Sequence, residues 1–170
     1  MAYDAFMWLE GGAPAVKGES TDKDMSANKA FEIYSFSFGA SNPTTIGSAT
    51  AGAAGGKVSI SSFNIMKKTD SASPGLFLNC CKGEHFTKGH VVLRKAGGTA
   101  LKYLTYDFSE VFVDNIQWSG SAGGDDTPTE SVSFAFSSVD ITYTPQDAKG
   151  TPGTAIPASW DLTKNVAANA

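Results

Sequence analysis

The 170-residue sequence is poor in positive charge and contains a single arginine, Arg94. Lys and Arg together number 13 against 17 Asp and Glu, which gives a formal net charge of -4. Proteins that bind the phosphates of nucleic acids normally present a clustered basic face rich in arginine. We therefore expect no nucleic-acid partner.

The sequence also lacks a long hydrophobic run and a recognisable leader. No stretch approaches the roughly 18 consecutive apolar residues of a membrane span. The first residues carry Asp4 and Glu10 and have neither the cationic nor the continuous apolar region of a secretory signal. We expect a protein that is assembled in the cytoplasm, has no cleaved signal peptide and does not insert into a membrane.

Cysteine is nearly absent as well, and the two that occur, Cys80 and Cys81, are adjacent. Adjacent cysteines close no loop and match no zinc or redox motif. This spacing predicts a protein of a reducing compartment and excludes a small fold held together by disulfides.

What the sequence does contain favours β-structure. Phe (11 residues) and Tyr (5) are abundant, and Ser and Thr alternate with apolar positions. The length predicts one domain over residues 1–170. Turn residues separate seven candidate strands, at residues 3–10, 30–38, 57–67, 90–95, 100–107, 111–118 and 131–143.

Three of these strands change the parity of their apolar positions. In residues 30–38 the apolar set passes from Phe31 and Ile33 to Tyr34, Phe36 and Phe38. Residues 57–67 and 131–143 show the same change. Side chains alternate faces along a strand, so a parity change requires a bulge or a bend. Strands that bend favour a small closed barrel or a two-sheet sandwich.

One segment, residues 75–82, is predicted to be helical. Ser73 suits the N-cap, Pro74 the first helical position and Gly83 the residue just past the end. Within it Leu76 and Cys80, and likewise Phe77 and Cys81, lie four residues apart. We expect this stripe to pack against the β-structure, with both cysteines in the core.

Two further segments contain few large apolar side chains that could pack into a core. Residues 41–56 consist mainly of Gly, Ala, Ser and Thr, which predicts a long mobile loop that is either disordered or ordered by something outside the subunit. Residues 146–170 contain Pro152 and Pro157 and few apolar side chains, so we expect them to wrap the surface and dock through Trp160.

The Gly-rich run before Lys57 superficially resembles a phosphate-binding loop. Ala51 stands where the first glycine is required, Val58 replaces the Ser or Thr, and a strand follows instead of a helix. Cys80 or Cys81 with His85 or His90 would be the alternative reactive set, but a buried thiol is inert. His85 and His90 lie five residues apart along a strand, so they point to opposite faces.

The acidic residues Asp125, Asp126 and Glu130 lack the spacing of a calcium loop and are interpreted as solvated turn carboxylates. Trp8, Trp118 and Trp160 suit a core or a protein interface better than a sugar-binding platform. We therefore predict no catalytic residue, no cofactor and no metal.

Eight stretches occur in a characteristic order. They are GESTD (18–22), IYSFSFG (33–39), GKVSISSF (56–63), DSASPGLFL (70–78), VVLRKAGG (91–98), GGDDTPTESVSFAF (123–136), ITYTPQDAKG (141–150) and WDLTKN (160–165). Through this ordered set the sequence closely resembles the haemolysin-coregulated protein family, Hcp, the tube subunit of the bacterial type VI secretion system.

The resemblance implies an all-β fold with one short helix: a compact β-barrel of two packed sheets plus one α-helix, assembling into a hexameric ring. It further implies that rings stack into a tube inside a contractile sheath, that a spike protein caps the tube, and that the tube is expelled from the cell and carries small effectors. The loop at residues 41–56 matches the family's extended loop, which reaches a neighbouring subunit or ring.

On this basis we expect an oligomer interface made by three segments. Its predicted members are Ile46, Gly47, Ala49, Gly52, Gly55, Asp125, Asp126, Glu130 and Trp160. The alternatives are a phage-type tail tube protein, an enzyme that uses Cys80 or Cys81, and a soluble β-sandwich ligand binder.

Overall fold

A computed structural model describes residues 3–45, 54–95, 101–124 and 126–168. The strands are β1 (Tyr3–Gly11), β2 (Phe31–Glu32), β3 (Ser35–Ser37), β4 (Ala40–Ser41), β5 (Thr44–Thr45), β6 (Ala54–Gly55), β7 (Ser59–Ile60), β8 (Phe63–Lys68), β9 (His85–Lys95), β10 (Lys102–Ser119), β11 (Thr129–Ala135), β12 (Ser138–Tyr143) and β13 (Ile156–Asp161). The helix α1 (Ser73–Lys82) lies between β8 and β9, and the predicted all-β class with one short α-helix is confirmed.

The sheet closes into a barrel through one short segment, residues 31–37. Strands β1, β9, β10, β11 and β8 pair antiparallel in that order, and the segment adds β2 to β1 and β3 to β8. The amide of Ile33 donates to the carbonyl of Ala5 on β1 (2.9 Å), and the amide of Tyr34 donates to the carbonyl of Met66 on β8 (2.8 Å). The predicted parity change in this segment is therefore a change of hydrogen-bonding partner.

Strand β10 runs through both sheets of the barrel. One edge pairs with β9, while the other pairs first with β12 and then with β11. The two strands predicted at residues 100–107 and 111–118 are one strand of 18 residues: Glu110 adopts a left-handed conformation (φ 49°) and is left out of the pairing with β9, which keeps the same register on both sides of it. The parity change predicted for residues 131–143 falls between β11 and β12.

Aromatic rings fill the space between the two sheets. Neighbouring rings lie 4.6–6.3 Å apart between centroids, within the range of favourable aromatic contacts. The rings belong to Phe36, Phe38, Phe63, Tyr106, Phe108 and Phe136. Phe31 and Ile33 point inward before the change of partner and Phe36 and Phe38 after it, whereas Tyr34 is 60% exposed and does not join the predicted apolar set.

Helix α1 begins two residues earlier than the sequence predicts. The N-cap is Ala72, so the prediction that Ser73 caps the helix is wrong: its hydroxyl accepts from the Asp70 amide (3.0 Å). Gly83 ends the helix in the left-handed conformation (φ 66°), as its position predicts. Leu76 and Asn79 are buried, Cys80 is half-buried and Cys81 is exposed. The expectation that both cysteines lie in the core is therefore wrong for Cys81.

A buried ion pair fastens α1 to the barrel. Lys67 on β8 and Glu130 on β11 are cross-strand partners, both with 0% exposure. The Lys67 ammonium lies 2.7 Å from Glu130 Oε1 and 2.7 Å from Asp70 Oδ1. The Ser73 hydroxyl donates to the same Glu130 oxygen (2.8 Å). Every charge in the site is thus paired or hydrogen-bonded, which burial requires.

This arrangement corrects the interpretation of Glu130 as a solvated turn carboxylate. The residue is the second of β11, and pairing places it opposite Lys67. Within the single chain its side chain has no exposed surface to offer to another subunit.

The carboxy-terminal segment is more ordered than its composition suggests. Residues 156–161 form β13, which pairs with β12 in register, Trp160 opposite Val139. Trp160 packs against the core, and, in the described parts of the chain, the other side of β13 is paired only through a single bridge between Asp161 and Val166. The segment predicted to wrap the surface therefore contributes an edge strand.

We expect Glu130→Ala to lower the free energy of unfolding by about 3 kcal/mol, because breaking a buried pair leaves a buried charge. The value lies at the low end for such pairs because Asp70 still contacts Lys67. Urea denaturation measures the change.

The matched control is Glu84→Ala at an exposed position, which we expect to change stability by less than about 0.5 kcal/mol. The double variant Lys67→Met/Glu130→Leu should recover most of the loss. Equal stability of Glu130→Ala and the unsubstituted protein would contradict this account of the pair.

Candidate assembly surfaces

The two ends of the predicted long loop pair with each other. We call residues 40–60 the arm. Strand β4 pairs with β7 and β5 with β6, and the Gly56 amide donates to the Pro43 carbonyl (2.9 Å). The loop predicted at residues 41–56 thus has paired strands at both of its ends, which form its stem. Of the predicted interface residues here, Gly55 lies in β6. Ile46, Gly47, Ala49 and Gly52 lie outside the described residues.

The stem also argues against phosphate binding by the Gly-rich run. A phosphate-binding loop directs several free backbone amides at its ligand and opens a helix. Here the Gly56 amide is used within the arm, and Lys57 leads into β7.

The loop between β10 and β11 places only part of the predicted acidic cluster at the surface. Asp126 is exposed, Glu130 is buried in the ion pair with Lys67, and Asp125 lies outside the described residues. The three carboxylates therefore do not act as one exposed group.

An apolar groove of about 360 Å³ separates the inner face of the β12–β13 hairpin from the base of the arm. We call it the Trp160 groove and define it by Phe38, Ile60, Val139, Ile141, Ala158 and Trp160. The indole Nε1 of Trp160 is buried and has no hydrogen-bond acceptor in the described parts of the chain. Ile156 and Tyr143, farther along the same hairpin, are 60% and 47% exposed.

A second apolar surface lies on the outer side of α1 and the end of β10. We call it the α1 patch and define it by Phe77, Leu78, Phe112 and Trp118, each 40–47% exposed. Phe77 stacks at an angle on Trp118 (5.7 Å between centroids). The sequence predicted that both Leu76 and Phe77 face the barrel; Leu76 does so, whereas Phe77 faces outward. Val111 and Val113 of β10 are buried, and Phe112 between them is exposed.

The outer face of the sheet is polar beyond β1. Cross-strand pairing aligns His90, Asp107, Asp140 and Ser159 in one row, with Trp8 at its β1 end. His90 stacks on Trp8, its Nδ1 lies 2.5 Å from Asp107 Oδ1, and its Nε2 lies 3.2 Å from Glu10 Oε1. The hydrogen bond to Asp107 raises the pKa of His90 above 6.5 against the opposing effect of burial.

The two histidines considered as reactive groups from the sequence make other contacts in the structure. Both ring nitrogens of His90 contact carboxylates, and His85 packs on Phe112 at 5.5 Å between centroids. Burial raises the pKa of Cys80, which disfavours the thiolate that a nucleophile needs.

Neither a metal centre nor a membrane helix is found in the parts of the chain that the structure describes. No group of three or more His, Cys, Asp or Glu side chains there is placed to hold a metal ion. No helix there has the length and hydropathy to span a bilayer.

The chain matches proteins of one secretion machine. The family model described as "Type VI secretion system effector, Hcp" matches residues 6–143. The chain is 34% identical over 114 residues to protein hcp1 of Pseudomonas aeruginosa PAO1. The aligned region covers 66% of this chain and 70% of that relative.

Solved structures agree. One structure, described as that of a type six secretion system protein, superposes with a TM-score of 0.89 at 34% sequence identity. The alignment covers 98% of this chain and 99% of the other chain. Hcp1 from Salmonella typhimurium gives a TM-score of 0.77 at 29% identity, with coverage of 98% and 99%.

These matches define the class, a structural protein of the type VI secretion system. The chain belongs to the Hcp family, as the ordered motifs predict. It is a tube subunit of that system, and the phage tail tube, thiol enzyme and β-sandwich ligand binder are not favoured.

The raised pKa of His90 predicts a pH-dependent contribution to stability. The folded protein binds this proton more tightly than the unfolded chain, so the contribution is complete below pH 6.5 and is lost as the pH rises through the folded value. Replacing Asp107 with Asn should therefore lower the free energy of unfolding most at acidic pH. Urea denaturation between about pH 5.5 and 8.5 measures the difference.

Asp140→Asn is the matched control, since Asp140 is the exposed cross-strand neighbour of Asp107. A stability difference for Asp107→Asn that is constant with pH would show that the His90 pKa is not coupled to Asp107.

Proposed function

We propose that the chain forms hexameric rings that stack into the hollow tube of a type VI secretion system, and that it acts through its interfaces and has no catalytic site. The observation that carries the proposal is the pair of uncovered apolar surfaces, the Trp160 groove and the α1 patch, on a chain of the Hcp family. Isolated apolar residues at a surface are ordinary, whereas continuous patches mark sites of association.

The polar outer face of the sheet suits the wall of a lumen. Antiparallel sheets commonly have one face on the core and one in water. Ser, Thr, Asp and His side chains occupy the exposed face at β9, β10, β12 and β13. We propose that this face lines the tube and contacts small effectors there, and that sheath and spike proteins contact the outside and the end of the tube.

The arm and the loop between β10 and β11 are the proposed contacts between rings. The described part of the arm is a two-stranded stem in which β4 pairs with β7 and β5 with β6. We propose that Ile46, Gly47, Ala49, Gly52 and Gly55 contact the neighbouring ring. Asp125 and Asp126 are proposed to join this contact, and Trp160 to contribute within the ring. Assembly takes place in the cytoplasm, and the tube then leaves the cell.

The native mass of the purified protein tests the ring. We expect six copies of the 17.7 kDa chain by native mass spectrometry, together with rings in negative-stain micrographs. A monomer that persists at high protein concentration would contradict the proposal.

Removing the arm tests the contact between rings. Replacing residues 44–56 with Asn-Gly keeps the cross-strand pair formed by β4 and β7 and closes it with a favoured two-residue turn. We expect the variant to form rings of normal mass that stack less, as shown by shorter or absent tubes in micrographs. Tubes of unchanged length would contradict the role of the arm, and so would a monomeric variant.

A further inference from the structure

Two apolar surfaces of this chain lie at different positions along β10. The Trp160 groove lies beside its first half, where Phe108 pairs with Val139. The α1 patch begins at Phe112, four residues farther along, and reaches Trp118. No residue lines both of them, so they are separate surfaces of the same chain.

We propose that the α1 patch of one copy packs into the Trp160 groove of the next copy and forms the lateral contact of the ring. This inference rests on the proposed function and names the two surfaces that meet. Because they are different surfaces of the same chain, the contact is heterologous, and repeating it generates a closed ring or a filament.

The shapes and polarity of the surfaces are complementary. The patch is a protruding group of large side chains on a helix and a strand, and the groove is a concave apolar surface between two hairpins. Aromatic side chains that enter such a groove are the usual centre of a protein interface.

The charges around the two surfaces are complementary as well. Acidic residues flank the patch: Asp114 follows Phe112 on β10, and Glu84 precedes His85, which packs on Phe112. A basic residue borders the groove: Lys57 lines the cavity that continues it beside Trp160. Opposite charges at a rim orient two surfaces during association.

Complementation between two defective variants tests the pairing. Phe77→Glu/Leu78→Glu places charge on the patch, and Ala158→Glu places charge in the groove at an exposed side chain that contributes no packing. We expect each variant alone to be folded and monomeric. Mixed in equal amounts, they should form a 1:1 dimer and nothing larger, because only the intact groove of the first and the intact patch of the second can join.

Native mass spectrometry of each variant and of the mixture gives the answer, and circular dichroism checks the fold. If the double variant is unfolded, Leu78→Glu alone takes its place, because it leaves the contact between the aromatic side chains of Phe77 and Trp118 in place. Tyr34→Glu, an exposed aromatic outside both surfaces, is the matched control and should keep the full ring.

The outcomes separate this inference from the proposed function. Rings formed by the unsubstituted protein and by both variants would overturn the pairing and leave the ring intact, as would a mixture that stays monomeric. Loss of the ring in the Tyr34→Glu control would also overturn it. A monomeric unsubstituted protein would overturn the proposed function itself.

Discussion

The buried contact between Lys67 and Glu130 is the constraint on which the arrangement of the fold depends. A charge with no exposed surface must keep its partners, and these partners come from β8, β11 and the start of α1. The pair therefore fixes the helix relative to two strands at once. The position of the helix in turn decides that Leu76 is buried and that Phe77 and Leu78 face outward. A contact inside the subunit thus determines the surface that the subunit offers to others.

The periodicity of apolar residues predicts much of this fold, because bends in strands and the ends of helices depend on residues that are close in the sequence. The parity changes indicated bends, and they mark the points where residues 31–37 and 131–143 change partners. Gly83 marked the end of the helix for the same local reason. Glu130 was misread because its environment comes from Lys67, 63 positions away, and no spacing in the sequence reports such a pairing. The continuity of β10 past Glu110 likewise depends on the strands beside it.

The assembly surfaces were harder to predict than the fold. Trp160 was selected because few other apolar residues lie near it in the sequence, and it does line the groove. The α1 patch went unrecognised, since a stripe at helical spacing does not say which of two adjacent residues faces the barrel. The identity of the family came from the order of many weak motifs and not from a chemical site.

Strand β10 has a consequence for how many copies can meet. Its backbone pairs with β9 on one edge as far as Phe112 and with β12 and then β11 on the other edge, so three neighbouring strands hold the twist between its first and second halves. A strand held in this way fixes the orientation of the α1 patch relative to the Trp160 groove. It thereby fixes the rotation that relates one subunit to the next. If the α1 patch and the Trp160 groove pair as proposed above, the curvature of β10 determines how many subunits close the ring. A small change in that curvature would then give a ring with a different number of subunits.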